Sequence, residues 1–296
     1  MMKKEINSRL LMALAMAVFG TVGAFVRGIP LASGEIALWR AILAVAMIGI
    51  FLALRGEKID LRSIGREAIL LFASGAALGI NWMLLFEAYK RTTVSLATLS
   101  YYFAPVIVTV LCPLVFKERL TKKQIFCFVG STLGLVLITG VGGSGDDLRG
   151  ILFGLGAAVF YATVVLLNKL IKNTEPVRRT LLQFVAAIII LLPYVLLTGG
   201  VRITELRVSG WINLLIVGLL HTGLAYCMYF SAVGNLEGQS VAVLSYIDPL
   251  VAVLVSVTLL GERMTLWQAI GGLLILGSTL MNEIRIKRRR HDEEGI

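Results

Sequence analysis

Residues 103–124 read FAPVIVTVLCPLVFKERLTKKQ, and residues 247–268 read IDPLVAVLVSVTLLGERMTLWQ. At a shift of 144 the two stretches share a proline (Pro105, Pro249), an acid–base pair (Glu118–Arg119, Glu262–Arg263), a threonine (Thr121, Thr265) and a glutamine (Gln124, Gln268). They do not share their lysines, since Lys117, Lys122 and Lys123 have become Gly261, Leu266 and Trp267. Cationic loops stay on the cytoplasmic side of a membrane. Two copies of one unit, one of them stripped of lysine at the same place, therefore read as a duplicated segment that enters the bilayer in opposite senses.

The duplication extends outward from these stretches. Gly79 falls on Gly223, Phe86 on Phe230, Ala88 on Ala232 and Tyr102 on Tyr246; nearer the starts, AVF at 17–19 meets AVF at 158–160. The sequence thus divides into a first repeat, 9–140, a second repeat, 149–283, and a basic tail, 284–296. The joint, GVGGSGDDLRG at 140–150, suits an exposed linker. It lacks the GK[ST] ending of a phosphate-binding loop, which argues against ATP there.

Composition supplies the setting. Of 296 residues 57% are hydrophobic and 16% charged, with a mean hydropathy of +0.86, whereas a soluble domain carries about 25% charged residues. Ten apolar stretches of membrane-crossing length follow: 10–26, 35–54, 68–88, 93–116, 124–140, 149–168, 180–198, 210–231, 237–260 and 266–283. The first is not read as a signal peptide, because no small-residue cleavage site follows it. The expected fold is an all-α polytopic membrane protein, with ten transmembrane helices arranged as two inverted five-helix repeats.

Placing the N-terminus in the cytoplasm puts twenty of the 28 Lys and Arg residues on cytoplasmic segments and seven on outer ones, with Arg40 left inside a span. That asymmetry accounts for the net charge of +10 and predicts both termini cytoplasmic in a multi-pass protein of the inner (cytoplasmic) membrane. The tail IRIKRRRH reads as an anchor to anionic lipid headgroups, not as a nucleic-acid site. Cys112, Cys127 and Cys227 lie within spans as small apolar residues. With two histidines and no CxxC, no metal-site spacing exists, and no cofactor is expected.

Inverted repeats are the signature of secondary transporters, whose substrate sits where broken helices of the two halves meet. Pro105 and Pro249 are the helix breaks at matching positions: neither donates a backbone hydrogen bond, so the carbonyls of Tyr101 and Ser245 lose their helical partners. Asp248 lies about 15 Å into its span, near the bilayer midplane. A charge there is costly and marks a site by default. Its counterpart is Ala104, so the proline break alone does not require it. It suits an ammonium ligand or the coupling proton; the competing reading is a structural carboxylate paired with Arg40 or a backbone donor. Arg40 could hold a substrate carboxylate bidentately or simply tie helices together. His221, sharing a helical face with Ala225 and Tyr229, is a proton-relay candidate or a hydrogen-bonded imidazole within the bundle. Asn81, Trp82, Tyr102, Tyr226 and Tyr246 complete the substrate-binding set, an aromatic cluster suited to a cation. Trp211 and Trp267 fit the interface belt. The pairs Gly75/Gly79, Gly130/Gly134 and Gly150/Gly154 permit close helix contact. Because two fused halves already supply such contact, the chain is read as a monomer.

These motifs resemble the EamA-type branch of the drug/metabolite transporter superfamily. They are Trp39–Arg40, each proline followed thirteen residues later by Glu–Arg, and the closing LLILGSTLM after GERMTLWQAIGG. The resemblance covers roughly 9–283. It implies gradient-driven export or exchange of small metabolites, often amino acids, through a cavity lined by both halves. An acid at the second proline and an arginine in span 2 also fit the family pattern. The expected function is secondary active transport of an amino-acid or amine-class solute by alternating access. The alternatives are an organic-cation transporter, an uncoupled facilitator and, remotely, an integral-membrane enzyme, for which no catalytic motif is present.

Overall fold

The computed structural model describes residues 2–54, 56, 65, 67–116, 121–140 and 145–283. Glu118–Arg119, most of the 55–66 loop, residues 141–144 of the linker and the basic tail 284–296 lie outside the described residues. The described residues form fourteen α-helices, one π-helical segment and a short 3-10 turn, with no strand among them. Eight helical stretches are long and apolar enough to cross a membrane, from Ile6–Arg27 to Val208–Val233; Val243–Thr258 and Leu266–Asn282 are shorter apolar helices.

Two expected breaks are present. The fourth stretch divides into α5 (Val94–Tyr101) and α6 (Ala104–Phe116), and the ninth into α12 (Gly238–Ser245) and α13 (Ile247–Thr258). Pro105 and Pro249 fall in the first turn of the following helix, where the missing N–H costs no intrahelical bond. Thr93 caps α5 by accepting the Leu96 N–H at 3.2 Å.

Two other spans correct the expectation of regular helices. The first bends at Thr21, between α1 (Met2–Gly20) and α2 (Val22–Arg27). The eighth runs α10 (Val208–Leu215), a π-helical segment Ile216–Leu224, then α11 (Ala225–Val233). Within that segment the Thr222 hydroxyl donates to the Val217 carbonyl, five residues back, at 2.8 Å. The face drawn through His221, Ala225 and Tyr229 assumed 3.6 residues per turn, and the wider π turn shifts that register.

The remaining helices are α3 (Ser33–Leu54), α4 (Glu67–Arg91), α7 (Lys122–Gly140), α8 (Gly145–Leu170), α9 (Pro176–Thr198) and α14 (Leu266–Glu283). Their pairing survives exchange of the two repeats. α4 packs on α8 and α9, while its counterpart, the eighth stretch, packs on α1 and α3; α5 and α6 pack on α8, while α12 and α13 pack on α1. The self-paired elements are α3 with α9 and α7 with α14.

Equivalent helices run antiparallel where they touch. Gly130 faces Ser278 and Gly134 faces Gly271 and Ile275, so α7 ascends as α14 descends. Likewise Tyr102 meets Asp248 while Ser95, one end earlier, meets Ser256. Gly130 and Gly134 sit at the close approach of α7 and α14, and Gly75/Gly79 and Gly150/Gly154 at those of α4 on α9 and of α8 on Thr92 and α5. A Cβ on Gly134 would stand 2.5 Å from the Gly271 carbonyl oxygen, and one on Gly75 would stand 2.3 Å from that of Gln183. The largest buried cluster draws from both repeats, joining Val26, Ile36 and Phe86 to Phe184, Leu191 and Val217.

Candidate functional site

The helix break in α12–α13 leaves the Ser245 carbonyl without a helical donor, and the other repeat supplies one. The Tyr102 hydroxyl, at the α5–α6 break, donates to Asp248 Oδ2 at 2.8 Å and lies 3.3 Å from the Ser245 carbonyl oxygen. The two breaks are thus bound to each other, with the acid of one held by the phenol of the other. Tyr246 packs on Tyr102 at a centroid distance of 6.2 Å.

Aromatic rings extend from this point. Tyr101 contacts Tyr102 at 6.2 Å and Tyr161, on α8, at 5.4 Å. Tyr226 touches Phe19, Phe184 and Phe230 at 5.2, 5.5 and 5.9 Å. Trp82 meets Phe184 at 5.0 Å and carries the Arg40 guanidinium 4.5 Å over its ring. The rings form two clusters, one of Tyr101, Tyr102, Tyr161 and Tyr246 beside Asp248 and one of Trp82, Phe184, Tyr226, Phe19 and Phe230 beside Arg40. Tyr89 and Tyr226 lie within electrostatic reach of both charges.

Arg40 is 5% exposed. Its Nε donates to the Thr222 hydroxyl at 2.6 Å, and Phe86 covers another side at 5.4 Å. Neither Nη has a hydrogen-bond partner among the described residues, yet neither is sealed. A guanidinium offers five donors, so four N–H bonds remain for a planar anion. The helix-tying reading and the ligand reading thus describe two edges of one side chain.

The other sequence candidates divide. Asn81 is buried, donates from Nδ2 to the Ala157 carbonyl at 2.7 Å, and leaves its Oδ1 without a hydrogen-bond partner among the described residues. Trp82 is buried against Phe184 and Arg40 and forms wall rather than open surface. His221 is fully buried, with Nδ1 3.1 Å from the Ile216 carbonyl and Nε2 2.8 Å from the Thr21 hydroxyl. It joins the π segment of one repeat to the bend of the other, beside Phe25 at 5.1 Å.

In the sequence Glu262 marks the repeat and the family resemblance, and the structure gives it a place. Its carboxylate pairs with Arg27, accepts the Ser256 hydroxyl, and accepts the Val94 N–H at the start of α5 at 2.9 Å. Arg27 also donates from Nε to the Tyr89 carbonyl at 2.7 Å and from Nη2 to the Thr92 carbonyl at 2.6 Å. This clasp closes one end of the molecule across the two repeats. The recurrence of Glu–Arg was its only signal in the sequence; Arg27 carried none. At the end where α4 begins, Glu67 accepts the backbone N–H groups of Lys172 and Asn173 at 2.9 and 3.0 Å and the Thr174 hydroxyl at 2.7 Å.

Comparison with known proteins bears on this architecture. A family model described as the EamA-like transporter family matches residues 7–140 and again 148–283. A Bacillus subtilis (strain 168) protein named "Uncharacterized transporter YxxF" is 28% identical over 96% of this chain and 91% of its own length. A Salmonella typhimurium (strain LT2) protein named "Probable amino-acid metabolite efflux pump" is 31% identical over 60% of this chain and 62% of its own. A solved crystal structure superposes with a TM-score of 0.63 at 17% identity, covering 93% of this chain and 96% of that one, a likeness of fold. With both repeats matched and helices apolar enough for several crossings, this chain belongs to the EamA-like transporter family.

Proposed function

We propose that this protein is a secondary active transporter of small amino-acid or amine-class solutes, moving them outward or in exchange across the cytoplasmic membrane by alternating access. In this reading the ten stretches, including the two shorter helices, all cross the bilayer as inverted five-helix repeats, with both termini cytoplasmic. The antiparallel run of α7 against α14 supports it, as does the pairing pattern that survives exchange of the repeats. The chain is read as a single working unit, because the contact between halves is internal.

The observation that carries the substrate class is a pair of opposite charges from opposite repeats, each beside its own cluster of aromatic rings. Arg40, from the first repeat, keeps four N–H donors for a carboxylate. Asp248, from the second, keeps an oxygen beyond the one that Tyr102 occupies and would bind the ammonium group. Tyr101, Tyr102, Tyr161 and Tyr226 supply ring faces between them. Asp248 also carries the coupling proton in this scheme, since proton and ammonium compete for one carboxylate. His221 takes part through its bond to Thr21, which joins the bends of the two repeats.

Transport by the purified chain in proteoliposomes, over a panel of amino acids and amines with and without a pH gradient, tests this. Asp248→Asn is expected to abolish gradient-driven flux. Arg40→Gln is expected to weaken zwitterionic substrates about tenfold or more, as for the loss of a charge-assisted hydrogen bond, while sparing simple amines. Normal proton-coupled flux in Asp248→Asn sinks the assignment of that residue. Unchanged zwitterion affinity in Arg40→Gln favours the organic-cation reading. Flux indifferent to every gradient in the unmodified chain makes it a facilitator.

A further inference from the structure

A cavity of about 390 Å³ opens beside the first turn of α3, between the ends of α4 and α9. It lies at the same end of the molecule as the Arg27–Glu262 clasp, because Lys90 at its rim directly follows Tyr89, whose carbonyl Arg27 holds. Its lining includes neither Arg40 nor Asp248. The volume lies within the range of small-molecule sites, about 300–1,000 Å³.

Its charged lining is unevenly satisfied. Glu87 is fully engaged, accepting the Ser33 hydroxyl at 2.7 Å on one oxygen and Arg91 Nε at 2.6 Å on the other. Glu35 is not. It is 1% exposed, yet only Oε1 has a partner, the Arg202 backbone N–H at 2.8 Å. Among the described residues its Oε2 has neither a hydrogen bond nor an ion pair, and it is not sealed from the cavity it lines. Lys90 stands at the same wall with Nζ donating to the Leu31 carbonyl, which leaves two of its N–H bonds. Phe153 and Tyr194 provide an apolar side.

We propose that this cavity is a second binding site, for a group that carries an N–H-bearing ammonium within a few bonds of an anion. The ammonium donates to Glu35 Oε2 and the anion meets Lys90. A trimethylammonium group is excluded, because it has no N–H to give Glu35. Two sources share this chemistry: the ethanolamine phosphate headgroup of a membrane lipid, and a free zwitterion resting at the mouth of the transporter.

The test uses the full chain in phosphatidylcholine nanodiscs. Thermal unfolding is followed with added O-phosphoethanolamine, and separately with phosphatidylethanolamine doped into the disc; native mass spectrometry counts retained lipid. A rise in melting temperature follows from binding to the folded state. If the doped lipid alone stabilises and is retained, the source is the headgroup; if O-phosphoethanolamine does so, it is the free zwitterion. In either case Glu35→Gln and, independently, Lys90→Gln are expected to weaken binding about tenfold or more, while Asp248→Asn leaves it intact. The proposal is overturned if neither probe binds, if phosphatidylcholine is retained as well as phosphatidylethanolamine, or if both Glu35→Gln and Lys90→Gln bind like the unmodified chain. It is equally overturned if Asp248→Asn alone removes binding, since the probe then sits at the central site.

Discussion

Glu262 accepts from three groups on three different elements; its removal would take the acceptor from the Val94 N–H at the start of α5, while Arg27 would keep its bonds to the Tyr89 and Thr92 carbonyls and Ser256 its bond to Ser95. The pair with Arg27 is buried on the glutamate side and about one-third exposed on the arginine side, at 8% and 32%, so solvent screens only part of it. A double-mutant cycle of Arg27→Gln and Glu262→Gln, read by thermal unfolding, is expected to show a coupling of about 0.5–3 kcal/mol; strict additivity would mean that the clasp does not join the halves. At Tyr102, Phe removes one hydroxyl that serves Asp248 and lies close to the Ser245 carbonyl. Tyr102→Phe is expected to keep the fold but to lower substrate affinity, measured by ligand-induced stabilisation. At this scale the sequence was informative where a residue type was costly in its setting. An acid or an arginine deep in an apolar run stands out from composition alone, whereas Glu35 at a helix start and Arg27 at a span end look like ordinary interfacial charges until the partners across the chain are known.

Helices were legible in proportion to the covalent cause of their irregularity. Proline removes a backbone donor, and helix breaks stand beside Pro105 and Pro249, whereas Pro193 lies inside the unbroken α9; the repeat of the first two at matching positions is what set them apart. The bend at Thr21 and the π segment at Ile216–Leu224 have no such cause in their own residues; side chains from elsewhere meet them, as Leu43 and Met47 of α3 crowd Gly218 and Gly223. Periodicity read from one helix alone misses a register set by its neighbour. Glycine spacing was informative because close backbone approach admits nothing larger. Gly134→Leu drives a side chain into the Gly271 carbonyl and is expected to destabilise the chain by about 1–3 kcal/mol. Gly277→Ala, on the same α14 with nothing within 4 Å, is the control; equal melting temperatures for both would show that α7 and α14 do not pack as described.

For the molecule as a whole, duplication and charge asymmetry gave the repeats and their opposite senses, since both are written in covalent sequence. Sidedness is checked with an impermeant maleimide on a chain lacking Cys112, Cys127 and Cys227. Arg202→Cys is expected to react in intact cells and Asn173→Cys only after permeabilisation; the reverse result inverts the topology. The way the aromatic rings come together was not legible, because they stand on both repeats and no single stretch encodes their mutual distances. One consequence follows from the phenol that stands between an acid and an orphaned carbonyl. Its single hydrogen has a fallback acceptor 0.5 Å farther away, as 2.8 and 3.3 Å show. If, as proposed, cargo or a proton claims the acid, that hydrogen can rotate to the carbonyl instead of being left without an acceptor. In the proposed cycle, loading and unloading exchange one hydrogen-bonded state of the phenol for another.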